Sequence, residues 1–461
     1  MTLNNILAID LGSSAITTVI AKHDNENNIS ILGTGIQVSN GINKGLIINI
    51  EDASKSIKDA VDMAKKSTNE QVDTTVVSVS GAYSKSHRST GSVNVPNGLI
   101  SETEINQVMQ MALYNATIVP DYEVVHVIPM FFKVDDSVEV DNPLNMNGTR
   151  LEVSVNIVMS KRTALTNIKS ALKTSGIDNV KFVLDSYASA LAVLDEQQKK
   201  FGAVVVNLGS TATEFVYFKG NSIVYNGFIP VGSNHITTDL SIMLHTPPSA
   251  AENIKLEYGS LIKNYSENNE LEDRKVKTPR IGDENSTSEI GLDSIQTIIH
   301  ARVEEVLVLV KKKLKKNALL DSTGSGIVLT GGMTYLDGIK DLARKVFEGI
   351  PISVSAPKPI INSFDVNFDE AYMSTIVGLL EYSLGKNRSY QLDSSKKLVR
   401  PIQKERAMDI INMQNMANKV MEQKTDSYQI KESGGMDLTH LVKEKKKEGI
   451  GKLFKKVTEW F

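Results

Sequence analysis

Hydrophobic residues in the first part of the chain alternate with polar ones at the spacing of short β-strands. Strands are predicted at residues 6–9, 15–21, 29–38, 45–48 and 75–79. A helix is predicted over 51–66, because Ile57, Ala60, Val61 and Ala64 share one face at helical spacing. This alternation of strands and helices indicates an α/β fold.

The pattern of predicted strands and helices changes between about residues 84 and 162. Strands are predicted at 88–95, 123–133 and 151–159, with one helix at 102–115 and a Pro/Asn/Gly loop at 142–149. This segment therefore reads as a small α+β insertion. Helices at 163–175 and 186–198 follow it.

The strand and helix alternation restarts at Phe201. The predicted elements are strands at 203–207, 213–218, 222–229 and 326–330, a helical region at 234–258, a polar, loop-rich segment at 265–290, and helices at 292–316, 338–347 and near 370–384. Residues 386–448 are polar and weakly periodic, so we expect a flexible linker there.

An internal repeat relates residues 9–21 to residues 206–218. Five of the thirteen aligned positions are identical, and both segments predict a strand, a Gly/Ser turn and a second strand. The glycine fingerprints of Rossmann and P-loop proteins are absent, and those would be followed by a helix. Because a Gly/Ser turn exposes successive backbone N–H groups, the repeat predicts two duplicated domains facing each other across a phosphate-binding cleft.

A third glycine turn follows the strand predicted at 326–330. Gly331 and Gly332 would let a base or a ribose lie against the backbone, although an ordinary turn between a strand and a helix is an equal alternative. The helical segments 186–194 and 371–380 are rich in small residues, which indicates either tight packing or a hinge between two halves.

Composition limits the possible functions. The 461 residues are 41% hydrophobic and 23% charged, as in ordinary globular proteins, and the net charge of −3 argues against a nucleic-acid binder. The absence of cysteine excludes disulfides, thiolate metal sites and a cysteine nucleophile. Neither a signal peptide nor an apolar stretch of about 18 residues is visible, so we expect a cytoplasmic protein.

The last residues form a basic, amphipathic segment. Residues 443–461 hold seven lysines and three glutamates, a local charge of +4 on a body of −7. Over 449–461 an apolar stripe at helical spacing lies opposite a basic face. The apolar stripe consists of Ile450, Leu453, Phe454, Val457, Trp460 and Phe461, and the lysines of the basic face are Lys452, Lys455 and Lys456. This pattern predicts a helix lying in the interface of an anionic membrane. A helix docked on the body is the alternative, but it would not need a long linker.

The hairpins, the small-residue helices and the Thr-Gly-Gly turn occur in the order found in actin-like ATPases. The stretches 126–129, 230–237 and 302–305, together with the terminal helix, resemble the FtsA family of bacterial division proteins. The resemblance implies a two-lobed, actin-like α/β fold of duplicated ribonuclease-H-like domains.

The resemblance also implies a division of the chain into subdomains. These are 1A (residues 1–83, 163–200 and 359–385), an inserted 1C (84–162), 2A (201–247 and 321–358), 2B (248–320), the linker (386–448) and an amphipathic membrane-targeting helix (449–461).

ATP and Mg²⁺ are the cofactors that the resemblance implies. Asp10 would hold Mg²⁺ through water. Phosphate contacts would come from Gly12, Ser13, Ser14, Gly209, Ser210 and Thr211. Glu252 and Lys255 would contact ribose and adenine, and Gly331, Gly332 and Met333 would line the base.

One position departs from the family pattern. Asn207 stands where the second hairpin normally has aspartate, and an amide cannot accept a proton and holds Mg²⁺ weakly. We therefore expect ATP binding with weak or absent hydrolysis, and no catalytic residue is assigned.

The function that the resemblance implies is that of a cell-division protein on the cytoplasmic face of the inner membrane. Such a protein polymerises, binds the C-terminal peptide of FtsZ on subdomain 2B, here with Arg302 as a contact, and meets later division proteins. Two alternatives share the fold. A sugar kinase would need a carboxylate for the sugar hydroxyl, which the sequence does not supply, and proteins like the pilus-assembly protein PilM lack the terminal helix.

Overall fold

The computed structural model describes residues 5–23, 29–136, 138–262, 274–360, 362–364, 366–383 and 390–400. All of them belong to one compact unit that ends at Ile402. The membrane helix predicted at 449–461, and the part of the predicted linker beyond residue 400, lie outside these ranges. Every helix within them is too short or too polar to cross a bilayer.

The first lobe starts with a meander of antiparallel strands followed by a helix and a parallel strand. In chain order its elements are β1 (Ile6–Leu11), β2 (Ala15–His23), β3 (Ile29–Val38), β4 (Ile42–Asn43), β5 (Leu46–Ile47), α1 (Ile50–Lys65) and β6 (Thr74–Val79). Helix α1 begins at Ile50 because the side chain of Asn49 accepts hydrogen bonds from the backbone N–H groups of Glu51 and Asp52. Gly33 and Gly35 allow β3 to lie directly against α1.

The insertion leaves the first lobe after a short 3₁₀ turn at Gly81–Tyr83. It contains β7 (Ser84–Asn94), α2 (Glu102–Tyr114), β8 (Tyr122–Val134) and β9 (Arg150–Lys161). Strand β9 pairs antiparallel with both β7 and β8, and the apolar face of α2 covers the sheet. Ser101 and Glu104 form a capping box that starts α2.

The chain then returns to the first lobe through α3 (Arg162–Thr174), β10 (Val180–Leu184), α4 (Asp185–Val193) and α5 (Glu196–Phe201). Strand β10 completes a sheet of order β10-β6-β1-β2-β3. The single helix predicted at 186–198 is wrong, because the first helix ends at Val193 and a second one begins after Asp195. The Asp195 side chain caps that second helix by accepting a hydrogen bond from the backbone N–H of Gln198.

The second lobe repeats this topology. Its elements are β11 (Ala203–Leu208), β12 (Thr213–Lys219), β13 (Ser222–Ile229), α6 (Ser233–Met243), α7 (Pro248–Tyr258), β14 (Lys275–Arg280), β15 (Asp283–Gly291), α8 (Leu292–Lys316), β16 (Ile327–Thr330), α9 (Ile339–Val346) and β17 (Ile352–Val354). The sheet order β13-β12-β11-β16-β17 matches that of the first lobe, with the same antiparallel and parallel pairs.

The segment 265–290 is not simply loop-rich. Its second half forms the antiparallel hairpin β14–β15, in which Val276 and Thr278 are buried and their neighbours Lys275 and Lys277 are exposed. The alternation is present in the sequence, but it is carried by mostly polar residues, and hydrophobicity therefore does not reveal it.

The chain crosses back to the first lobe through α10 (Ser374–Ser383), which packs closely on α4. A Cβ atom at Gly378 would lie 1.8 Å from the carbonyl oxygen of Ala188, so only glycine permits this approach. Residues of α4 and α10 lie in a core cluster that also includes residues of both central sheets.

The linker predicted at 386–448 is wrong for residues 390–400. These residues form β18 (Gln391–Leu392) and β19 (Leu398–Val399), and β18 pairs with β8 at Leu392 and Val127. Tyr390 and Leu392 are buried in the core of the insertion, and their packing holds this short, polar segment in place.

Candidate functional site

A cleft of about 450 Å³ lies between the two lobes, where the two Gly/Ser hairpins meet. It brings together all the residues that the family resemblance implies as nucleotide contacts. These are Asp10, Gly12, Ser13, Ser14, Gly209, Ser210, Thr211, Glu252, Lys255, Gly331, Gly332 and Met333.

The two hairpins have the same local geometry. A Cβ atom at Gly12 would lie 2.5 Å from the carbonyl oxygen of Ala15, and one at Gly209 would lie 2.8 Å from that of Ala212. Both turns therefore require glycine at the same position. In the second lobe the hairpin also rests on the start of α6, because Ser233 N–H donates to the Gly209 carbonyl at 3.0 Å.

The opposite end of the cleft is formed by α7 and the third glycine turn. Lys255 Nζ lies 2.7 Å from Glu252 Oε2, and the Thr237 hydroxyl donates to the same oxygen at 2.5 Å. Gly331 has φ of +92°, and a Cβ there would meet Asn207 Oδ1 at 2.4 Å, whereas a Cβ at Gly332 would have no neighbour within 4 Å. Gly332 therefore leaves open space in the cleft wall.

Tyr335 and Tyr372 flank this end and were missed by sequence reasoning. Both side chains line the cleft, about half exposed, with ring centroids 6.1 Å apart. The Tyr335 hydroxyl donates to Glu370 and accepts from Ala371 N–H at 3.1 Å. Burial and the neighbouring Glu370 raise the pKa of Tyr335 to about 12. The two rings are inclined at 47° to each other and offer aromatic contacts for a base, but isolated tyrosines carry no sequence pattern.

Three carboxylates surround the end of the cleft at which the two hairpins meet, and the sequence identified only Asp10. Its Oδ1 accepts from the Ser78 hydroxyl at 2.9 Å. Glu214, directly opposite Asn207 in the β11–β12 pair, accepts from Ser80 Oγ at 2.5 Å and from Gly81 N–H at 2.9 Å. Asp185, which starts α4, accepts from Ser186 N–H at 2.6 Å.

Burial raises the pKa of Asp10 to about 6, and the charge of Glu214 adds to the rise while the Ser78 hydrogen bond opposes it. The pKa of Asp185 is also raised, by burial and then by the charge and hydrogen bonding of Glu214. The cleft therefore concentrates negative charge that water does not fully screen.

A divalent cation would reduce this repulsion. Among the described residues, no group of three or more histidine and acidic side chains lies close enough to hold a metal directly. Mg²⁺ commonly keeps several waters and uses only one or two carboxylates, and this donor set suits that mode of binding. Asp10 therefore fits a Mg²⁺ ion held through water.

Asn207 connects the second lobe to the two interdomain helices. Its Nδ2 donates to Ser189 Oγ of α4 at 3.1 Å and to Thr375 Oγ1 of α10 at 3.3 Å. The two hydroxyls are also 3.0 Å apart. The neutral amide thus serves in a hydrogen-bond network, while the carboxylates of the cleft come from Asp10, Asp185, Glu214 and Glu252.

Arg302 lies on α8, outside the cleft. Its guanidinium makes a two-point contact with Asp239, with distances of 2.6 and 3.0 Å, and also contacts Glu305. About a quarter of its side chain is exposed.

Two family models match the chain. The one described as "Cell division protein FtsA" covers residues 204–378, and "SHS2 domain inserted in FTSA" covers residues 81–159. The protein named Cell division protein FtsA from Helicobacter pylori is 33% identical over 415 residues, spanning 84% of each chain. The protein of that name from Pseudomonas aeruginosa is 29% identical, covering 83% of this chain and 89% of that one.

Solved structures share the fold. A chain of the "PilM-PilN type IV pilus biogenesis complex" aligns with a TM-score of 0.57 at 14% identity, covering 82% of this chain and 98% of that one. MreB5 of Spiroplasma citri, bound to ADP, aligns with a TM-score of 0.51 at 15% identity, covering 83% and 98%. These similarities confirm the predicted actin-like α/β fold and the inserted domain.

Proposed function

This chain belongs to the FtsA family of cell division proteins, and on that premise we propose that it binds ATP with Mg²⁺ between its lobes and ties FtsZ filaments to the membrane. The observation that carries the nucleotide part is the pair of matched hairpins facing one cleft. The ADP-bound state of MreB5, which has the same fold, supports it.

The residues of the cleft divide naturally along a nucleotide. The turns at Gly12 and Gly209 bind the phosphates through backbone N–H groups and hydroxyls, as Gly/Ser turns do elsewhere. The Glu252–Lys255 pair, on the third glycine turn's side of the cleft, serves the ribose, and the tyrosine pair supports the base. When bound, Mg²⁺ neutralises phosphate charge, and Asp10 orients its water shell.

The division role rests on the family and on the sequence pattern of the tail. The amphipathic pattern predicted to form a helix at 449–461 would hold the protein on the cytoplasmic face of the inner membrane at the division site. The surface of α8 near Arg302 receives the C-terminal peptide of FtsZ. Arg302 would contact the peptide in place of Glu305, while Asp239 keeps the guanidinium group in position. Copies of the chain associate into filaments and recruit later division proteins.

Titration calorimetry with ATP and Mg²⁺ tests the nucleotide site. Gly332→Leu places a side chain in open cleft space without a backbone clash, so it should lower ATP affinity at least about tenfold while the fold persists. The matched control is Gly291→Leu, since a Cβ at Gly291 lies 4.0 Å from its nearest neighbour, Ser294 Oγ, and outside the cleft. Failure of the unmodified chain to bind ATP would overturn the proposal.

A further inference from the structure

A short hairpin in the first lobe contacts both Gly/Ser turns, at Gly12 and at Gly209, and carries a lysine at its tip. Strands β4 and β5 pair through Ile42 with Ile47 and Asn43 with Leu46, which leaves Lys44 and Gly45 as the two turn residues. We call residues 42–47 the strap. Its turn contacts both lobes, because Gly45 N–H donates to Ser13 Oγ at 3.2 Å and Lys44 N–H donates to Thr211 Oγ1 at 2.9 Å.

The strap is tightly fitted at this place. Both turn residues have positive φ, 49° at Lys44 and 70° at Gly45, as two-residue hairpins of type I′ require. A Cβ at Gly45 would lie 2.1 Å from Ser80 Oγ, the hydroxyl that also donates to Glu214. The strap therefore packs against the contact that joins Glu214 to the first lobe.

Lysine is an uncommon residue at such a turn position. Asparagine, aspartate and glycine adopt positive φ at lower cost, so the fold alone does not call for the Lys44 side chain. Lys44 is exposed, and within the described part of the chain its ammonium has no carboxylate partner.

The cleft is mainly acidic, so the Lys44 side chain would supply an unpaired positive charge that its described lining lacks. Of the described residues that line the cleft, four are acidic and one, Lys255, is basic, and Lys255 is already paired with Glu252. A triphosphate would thus meet mainly negative charge at the hairpins. Burial lowers the pKa of His235 at the start of α6, and the positive charges of Lys44 and Arg302 lower it further.

We propose that Lys44 is a phosphate-binding residue whose ammonium contacts the last phosphate of ATP, with the strap positioning it between the two hairpins. This inference rests on the proposed nucleotide function and adds a specificity determinant to it. The hydroxyls of Ser13 and Thr211 accept hydrogen bonds from the strap and keep their protons free to donate to phosphate. Because the cation contacts the end of the phosphate chain, it favours ATP over ADP.

The test is titration calorimetry on the full chain with Mg-ATP and, separately, Mg-ADP. Lys44→Asn removes the charge and suits positive φ, so the turn is retained. We expect ATP affinity to fall about tenfold, or about 1.4 kcal/mol, and ADP affinity to change less than threefold. Lys44→Arg should keep most of the ATP affinity.

The control variant Lys58→Gln removes an exposed lysine on α1 and should bind both nucleotides like the unmodified chain. Equal ATP affinity for Lys44→Asn and the unmodified chain would overturn the inference and leave the proposed nucleotide site intact. Equal weakening of ATP and ADP would also overturn it, since it would indicate a distorted strap. Absence of binding by the unmodified chain would overturn the proposed function and this inference together.

Discussion

Asp393 Oδ2 lies 3.0 Å from Lys181 Nζ, which joins the C-terminal part of the described chain to β10 of the first lobe. The Asp393 side chain is only 1% exposed, and its Oδ1 accepts from the backbone N–H groups of Ser395 and Lys397 at 2.9 and 3.0 Å. Ser394 Oγ accepts from Phe182 N–H at 2.9 Å beside it. Residues 390–400 are therefore held to both the insertion and the first lobe.

Loss of this anchor should destabilise the protein. Asp393→Ala leaves two backbone N–H groups and a lysine without their acceptor, and we expect a loss of about 2 kcal/mol in the free energy of unfolding. Urea denaturation measures it. Arg400→Ala is the matched control, because its pair with Glu102 is largely exposed and should contribute less than about 0.5 kcal/mol. Equal stability of both variants would show that the anchor is unimportant.

Asp10 should lower the stability of the protein when no cation is bound. Its pKa of about 6 lies above its ordinary value of 3.8, so the folded state is destabilised by the ionised carboxylate above pH 6. Asp10→Asn should then raise the free energy of unfolding by about 3 kcal/mol at pH 7.5, at about 1.36 kcal/mol for each unit of the pKa rise. The gain should shrink as the pH falls from 6 toward 4, because the folded protein takes up the proton that relieves the cost.

Denaturation at pH 7.5 and pH 4.5, without Mg²⁺, compares this variant with the unmodified chain. Asp59→Asn on the exposed side of α1 serves as the control and should change stability little at either pH. A gain for Asp10→Asn that does not depend on pH would mean that Asp10 is not the titrating group.

ATP turnover should be slow. Asn207 carries a neutral amide that cannot accept a proton, so the second hairpin supplies no general base at this position for activating water. Asn207→Asp should raise steady-state phosphate release by about tenfold, below the roughly hundredfold or more that a well-positioned base supplies. Asn207→Ala is the control and should give no increase. Rapid hydrolysis by the unmodified chain would assign the role to another group.

The terminal segment should bind anionic membranes, and more strongly in filaments. Each lysine near the surface contributes about 1 kcal/mol, which salt reduces, and a filament adds avidity through many linked copies. Trp460→Glu places a charge in the apolar stripe and should reduce vesicle flotation at least about tenfold, while Glu459→Gln on the polar face should not reduce it. A chain ending at Glu448 that floats as well as the full chain would contradict the membrane role.

Local pattern was sufficient for much of the fold. The two hairpins repeat a motif short enough to read directly, and the bounds of α8 follow from its helical periodicity, since each element's own residues form its apolar face. The predicted contact residues on the two hairpins meet in one cleft because duplicated turns on duplicated sheets face each other, whereas Glu252 and Lys255 were expected there only from the family resemblance. Hydrophobic periodicity did not reveal β14 and β15, whose alternating positions are mostly polar.

The sequence by itself thus determined the repeated α/β architecture and the glycine turns, which depend on interactions between residues near one another in the chain. Only the tertiary structure decided which distant groups share the cleft. Asp185, Glu214 and the two tyrosines come from separate elements, and their spacing along the chain carries no periodicity. Residues 390–400 read as linker because their order comes from Tyr390 and Leu392 entering a core built by another segment. Long-range packing creates these features, and no local window of sequence contains it.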